Sequence, residues 1–198
     1  FDAKQFEESK IIDKHLLKWS AKTFGKEHAQ KIHDIKMTYY DLAFKRKPEF
    51  TGWNQVEPTR LTNFSEYNHF AFNDEAQQRL NDYHDLVKKV KKLRQDIDPK
   101  RADAFYQMIY YPVVSAAWMN MKFLYLEKAY YYIRHNRSIS NDYAQLAQNA
   151  YDSIVAETRY YNNELAGGKW KHMMSMEPRN LPVFQMPAVP GWNIQDES

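Results

Sequence analysis

Seven histidines and no cysteine set the first limits on the chemistry of this chain. His15, His28, His33, His69, His84, His135 and His172 are scattered. None forms a helical i, i+4 pair, and no His-Glu-x-x-His stretch occurs, so neither a metal site nor a cofactor is expected. Without cysteine there is no disulfide, thiolate ligand or thiol nucleophile. A glycine-rich phosphate loop and a Gly-x-Ser-x-Gly elbow are also missing. A glycosidase-like carboxylate pair would have to face across a cleft. Glu7, Glu8, Asp96, Asp98, Glu157 and Glu164 instead fall on polar faces or caps, where solvation explains them, and no catalytic residue is assigned. Glu49 differs, because it follows Pro48 at the mouth of an aromatic stretch with Arg46 and Lys47 beside it. It is either a pocket or interface carboxylate held by a cation, or half of a surface ion pair that contributes little.

Two further groupings read as structure. Lys88, Lys89, Lys91, Lys92 and Arg94 make a basic helix face, but Asp82, Asp85, Asp96 and Asp98 dilute it and Tyr83 lies on the other side. That is a solvated face, and no nucleic-acid partner is expected. Tyr110-Tyr111 and Tyr130-Tyr131-Tyr132 suggest a sugar platform at first sight, yet adjacent residues point different ways around a helix. They read as buried contacts with hydroxyls satisfied at the rim.

The elements that position these residues are helices. The 198 residues include 15 Tyr, 11 Phe and 5 Trp but only 5 Gly, a composition for long helices packed through aromatic faces. The spacing predicts a first helix from an Asp2 cap to about Thr23, stopped by Gly25, and a second from about Lys26 to Arg46, stopped by Pro48. A third, about Glu75 to Asp96 with Asn73 or Asp74 as cap, carries the seam Ala76, Leu80, Tyr83, Val87 and Val90. The fourth opens at Asp98-Pro99 and runs to about His135, with Pro112 kinking it. The fifth spans about Ser140 to Ala166 and is closed by Gly167-Gly168. Short loops favour antiparallel neighbours, so the fold class is an all-α up-and-down bundle of four to five long helices. Residues 1–166 form the bundle, with 48–72 a packed aromatic loop, and 167–198 an extended tail.

That tail holds Pro178, Pro182, Pro187 and Pro190, which forbid helix and sheet, together with two tryptophans, a phenylalanine and four methionines. Such residues need cover. The tail either folds back along the helices or docks on a domain outside this sequence, and the chain reads as part of a larger polypeptide. The formal charge of +3 implies no general attraction to polyanions. No apolar run approaches the ~20 residues of a membrane span.

An ordered set of segments resembles a known family. Trp19-Ser20-Ala21-Lys22-Thr23-Phe24-Gly25 is followed by Tyr39 to Leu42 and Arg46-Lys47-Pro48-Glu49. Then come Asp103-Ala104-Phe105-Tyr106-Gln107, Tyr111-Pro112-Val113, Asn141-Asp142-Tyr143-Ala144 and Gly168-Lys169-Trp170-Lys171-His172-Met173-Met174. In this order and spacing they resemble the helical-bundle domain of glycoside hydrolase family 115, the xylan α-1,2-glucuronidases, from about Asp13 to Pro187. The resemblance implies a multidomain hydrolase that removes glucuronic or 4-O-methylglucuronic acid from xylan. It also implies catalytic carboxylates in a preceding barrel-like domain and a β-sandwich after the bundle. Neither neighbour is in this sequence, so the chain alone is expected to be inactive.

The partners implied are those other domains of the same polypeptide and, through them, glucuronoxylan; the compartment implied is secreted or periplasmic. Arg46, Lys47, Glu49, Trp53, Lys169 and Trp170 are the candidates for contact with substrate or with the neighbouring domain. A different class of function stays open beside this one: a free-standing helical module that binds a partner through the aromatic loop and tail.

Overall fold

The structure is a computed structural model that describes residues 11–51 and 65–188, without the side chains of Glu49, Phe50 and Arg179. The expected Asp2 cap, Trp53, Pro190 and Trp192 lie outside the described residues. Among the described residues every regular element is helical: α1 Ile11–Phe24, α2 Ala29–Lys45, α3 Glu75–Asp96, α4 Ala102–Phe105, α5 Tyr111–Arg134 and α6 Ser140–Asn163. The all-α class expected from composition and spacing is the one observed. Contacts divide the chain into two compact units, one running up to Lys45 and resuming over Asp85–Val113, the other over Arg46–His84 and from Val114 onward.

In the first unit Gly25 ends α1 at φ 110, a conformation that side-chain-bearing residues avoid, and its amide donates to the Ala21 carbonyl at 3.1 Å. A 3-10 turn over Lys26–His28 then leads into α2, so the regular helix starts three residues later than the spacing suggests. Phe24, Ile32, Ile35 and Leu42 form the core with Leu86, Val90, Leu93, Phe105, Tyr106 and Ile109. His33 joins Asp13 and Asp34 at 3.3 and 3.1 Å. Burial pulls its pKa down, but the two carboxylates outweigh this and leave it raised.

The long fourth helix of the sequence reading runs without a break in helical backbone from Ala102 to Arg134, with one change of winding inside it. Asp98 caps its start by accepting from the Lys100 amide at 2.9 Å, with Pro99 at the first position. After α4 comes a π-turn over Tyr106–Tyr110, immediately ahead of Pro112 in α5. A regular helix would drive the Pro112 ring into the carbonyl four residues back. Widening the preceding turn moves that carbonyl away.

In the second unit α5 is buried all round. Every residue from Ala116 to Ala129 is buried, including Asn120, Lys122, Glu127 and Lys128. Ala76, Leu80 and Tyr83 of α3 belong to this core, as do Ala144, Ala147, Ala150, Ile154 and Tyr161 of α6. Tyr130, Tyr131 and Tyr132 are half-buried and turn different ways. Tyr132 stacks on Tyr143 (5.4 Å, 4°), whereas Tyr131 meets Phe70 at 4.1 Å. Asp74 caps α3 by accepting from the Gln77 amide at 3.0 Å.

Helix α6 ends at Asn163, earlier than expected, and the chain reverses through Ala166 (φ 52) and Gly167 (φ 67). The Asn162 side chain then exchanges two hydrogen bonds with the Met174 backbone, at 2.8 and 3.0 Å. Beyond it, 3-10 turns at Pro178–Asn180 and Pro182–Phe184 bring the tail against α5. There the Lys122 ammonium donates to the Val183 and Gln185 carbonyls at 2.8 and 2.9 Å, and the Tyr130 hydroxyl to the Ala188 carbonyl at 2.7 Å.

Candidate functional site

A helix buried on every side must find a partner for each polar atom it carries. For Asn120 and Glu127 of α5 several of those partners lie at the two ends of the aromatic loop, and α3 and the tail supply others. Glu127, 3% exposed, accepts from the Ser65 amide with one oxygen. Its other oxygen takes the Ser65 hydroxyl at 2.9 Å and His69 Nε2 at 2.6 Å. Asn120 accepts from the Thr51 hydroxyl at 3.4 Å and from Arg79 Nε at 2.7 Å, while its own amide donates to the Ala116 carbonyl at 2.8 Å. Lys128 donates to Gln77 Oε1 at 2.7 Å and lies 3.5 Å from Asp74.

Arg79 of α3 completes the group. It is 4% exposed, donates to the Arg46 carbonyl at 2.9 Å, and lies under the rings of Tyr67 and Tyr83 at 4.9 and 5.1 Å. Burial raises the Tyr67 pKa, and the charges of Arg79 and Arg46 oppose that rise. The result is a clamp that fixes Arg46 and Thr51 at one end of the loop and Ser65, Tyr67 and His69 at the other. Its chemistry is positional. Both Glu127 oxygens accept from protein donors, so the carboxylate ties Ser65 and His69 to α5. Among the described residues no group of three His, Asp or Glu side chains is placed to hold a metal ion.

Of the residues singled out from the sequence, Arg46 joins this clamp, through its carbonyl. Arg46 Nη1 pairs with Glu66 at 2.9 Å, and Glu66 is 79% exposed, so the pair is a surface bridge of modest strength. Lys47 is exposed. The Glu49 side chain and Trp53 lie outside the described residues, so the pairing read for Glu49 is not seen. Lys169 is exposed with its ammonium 5.0 Å from the half-buried Trp170 ring. The Trp170 carbonyl accepts from the Met173 amide at 3.0 Å. The sequence reading missed Arg79, Asn120, Lys122, Glu127 and Lys128. Their signal was their setting, since four of them are the polar residues of a stretch otherwise apolar on all faces.

No family profile matches the chain, and no curated protein matches it. Solved structures do. Among them is a family GH115 4-O-methyl-α-glucuronidase, BtGH115A, with specificity for decorated arabinogalactans. The match has 32% identity and a TM-score of 0.74, and it covers 92% of this chain but 23% of that one. No helix of the described residues is long and apolar enough to cross a membrane. Over nearly its whole length the chain is a counterpart, in sequence and in fold, of a helical segment of a family GH115 glycoside hydrolase.

Proposed function

We propose that the chain is an accessory, non-catalytic helical domain of a multidomain α-glucuronidase acting on a glucuronosylated plant polysaccharide of the xylan type, in a secreted or periplasmic setting. The observation that carries this reading is the buried clamp. Its polar side chains hold the two described ends of the loop on the helices, and ends held in that way suit a contact surface for a neighbouring domain. Phe72, 81% exposed, and Met173, 61% exposed, are large apolar groups that such a neighbour would cover. Arg46, Lys47, Glu49 and Trp53 on the loop, with Lys169 and Trp170 after α6, are assigned to that contact. A cation among them also suits a substrate carboxylate, through a charge-assisted hydrogen bond.

The test compares hydrolysis by the 198 residues alone with hydrolysis by the full polypeptide proposed to contain them. Only the latter should release glucuronic acid from glucuronoxylan, and turnover by the chain alone would sink the accessory role. In the full polypeptide, Arg46→Met and Lys169→Met should lower kcat/KM. Unchanged kinetics would return both residues to a purely structural part.

A further inference from the structure

The unit that runs up to Lys45 and resumes at Asp85 contains an open pocket of about 270 Å³. Its walls are His15, Leu16 and Trp19 of α1, Lys36 and Tyr40 of α2, and Met108. Phe24 meets the Trp19 ring edge-on at 5.6 Å and is itself met edge-on by Phe105 at 5.8 Å. The indole is therefore a preset wall and not a swinging side chain. Tyr40 is 46% exposed, with the Lys36 ammonium 4.8 Å from its ring centroid.

Charge separates this pocket from the other depression of the same unit. That one, between α2 and α3, is lined by Lys31, Lys89 and Lys92 but also by Asp34 and Asp96, and Lys31 already lies 3.8 Å from Asp96. Two carboxylates thus share its lining with three cations. The α1–α2 pocket has a cation and two aromatic rings, and among the described residues no carboxylate lines it. Such a lining suits a ligand with an apolar ring face and a negative charge.

We propose that this pocket binds a hexuronate unit of an acidic glycan, its ring face against Trp19 and Tyr40 and its carboxylate on Lys36. The proposal rests on reading the chain as part of a uronate-releasing hydrolase, and it adds a glycan-holding site on the helical domain itself. Titration calorimetry of the 198-residue chain with methyl α-glucuronoside and methyl α-glucoside tests it, because the two differ only in the carboxylate. The glucuronoside should bind with a dissociation constant on the order of 1 mM, and the glucoside at least about tenfold more weakly.

Lys36→Met, a change at a half-buried surface position, should bring the glucuronoside to the glucoside's level while far-UV circular dichroism stays unchanged. Lys89→Met, in the other depression, should leave both affinities alone. Equal binding of the two sugars, no binding of either, or an unaffected Lys36→Met would each overturn the proposal. Hydrolysis by the full polypeptide reads the accessory role separately, so a loss of this site leaves that role standing.

Discussion

Lys122 offers the sharpest physical test of the structure. Its side chain is fully buried on α5, with the ammonium 4.3 Å from the Phe123 ring centroid and bonded to the carbonyls of Val183 and Gln185. Burial strips water from the charged form and drives the pKa from the ordinary 10.5 down to about 7. Unfolding restores the ordinary value, so between these two pH values the unfolded chain binds more protons, and stability rises with pH. At 1.36 kcal/mol per unit the full gap corresponds to about 5 kcal/mol. Below pH 7 both states are protonated and the penalty is nearly flat. Between pH 7 and pH 9 about 2 kcal/mol of it is recovered.

Lys122→Met keeps the length of the side chain and removes the titration. It also leaves two tail carbonyls without a donor, at roughly 1–3 kcal/mol each, so near pH 7 gain and loss nearly cancel. The informative quantity is the change with pH. Urea unfolding of both proteins at about pH 6, 7, 8 and 9 should show wild type gaining about 2 kcal/mol on the variant from pH 7 to 9, and almost nothing from pH 6 to 7. Parallel pH profiles would mean that Lys122 is not buried in the folded chain, and the docking of the tail on α5 would fall with it.

His33 should behave with the opposite sign. Its raised pKa gives stability that is present below the unfolded value of 6.5 and lost as pH rises through the folded one, so the margin of wild type over His33→Gln should shrink as pH rises above 6.5. Asn120→Leu strips Arg79 Nε and the Thr51 hydroxyl of their acceptor inside the clamp. It should cost about 2–4 kcal/mol in urea unfolding and speed trypsin cleavage after Arg46, whereas unaltered cleavage would show that the clamp does not hold this end of the loop. Ala166→Gly relieves a left-handed alanine at φ 52, and a rise of about 0.5–1 kcal/mol in stability is expected; a loss would place the strain elsewhere.

The sequence was most legible where one face of a helix differs from the other. The seam Ala76, Leu80, Tyr83, Val87 and Val90 of α3 is buried at every position, because an amphipathic helix writes its orientation in its period. Gly25 and Gly167 were legible as stops because the backbone there needs positive φ. Phe72, Asn73 and Asp74 take the same left-handed region one after another; Asn and Asp are types that tolerate it, whereas Phe72 gives no warning. On α5 periodicity carries no information, since no face is exposed between Ala116 and Ala129, and nothing in the spacing marks Asn120, Glu127 and Lys128 as buried. The π-turn ahead of Pro112 is a local accommodation that a 3.6-residue pattern does not contain.

The tail shows how that gap closes once donors and acceptors are counted. Each proline removes an amide and keeps a carbonyl, so a segment with Pro178, Pro182 and Pro187 is rich in acceptors and short of donors. A helix surface that receives it must therefore present donors. The groups found there are the Lys122 ammonium and the Tyr130 hydroxyl, set eight residues apart on α5 and meeting carbonyls at 183, 185 and 188. The pairing explains why a lysine occupies the core despite the penalty on its charge: methionine or leucine would fill the space, but neither can donate. These bonds reach backbone and not tail side chains. Substitutions at Val183 and Phe184 should therefore disturb packing and leave the course of the tail intact, whereas loss of the donor at 122 should weaken its hold on α5.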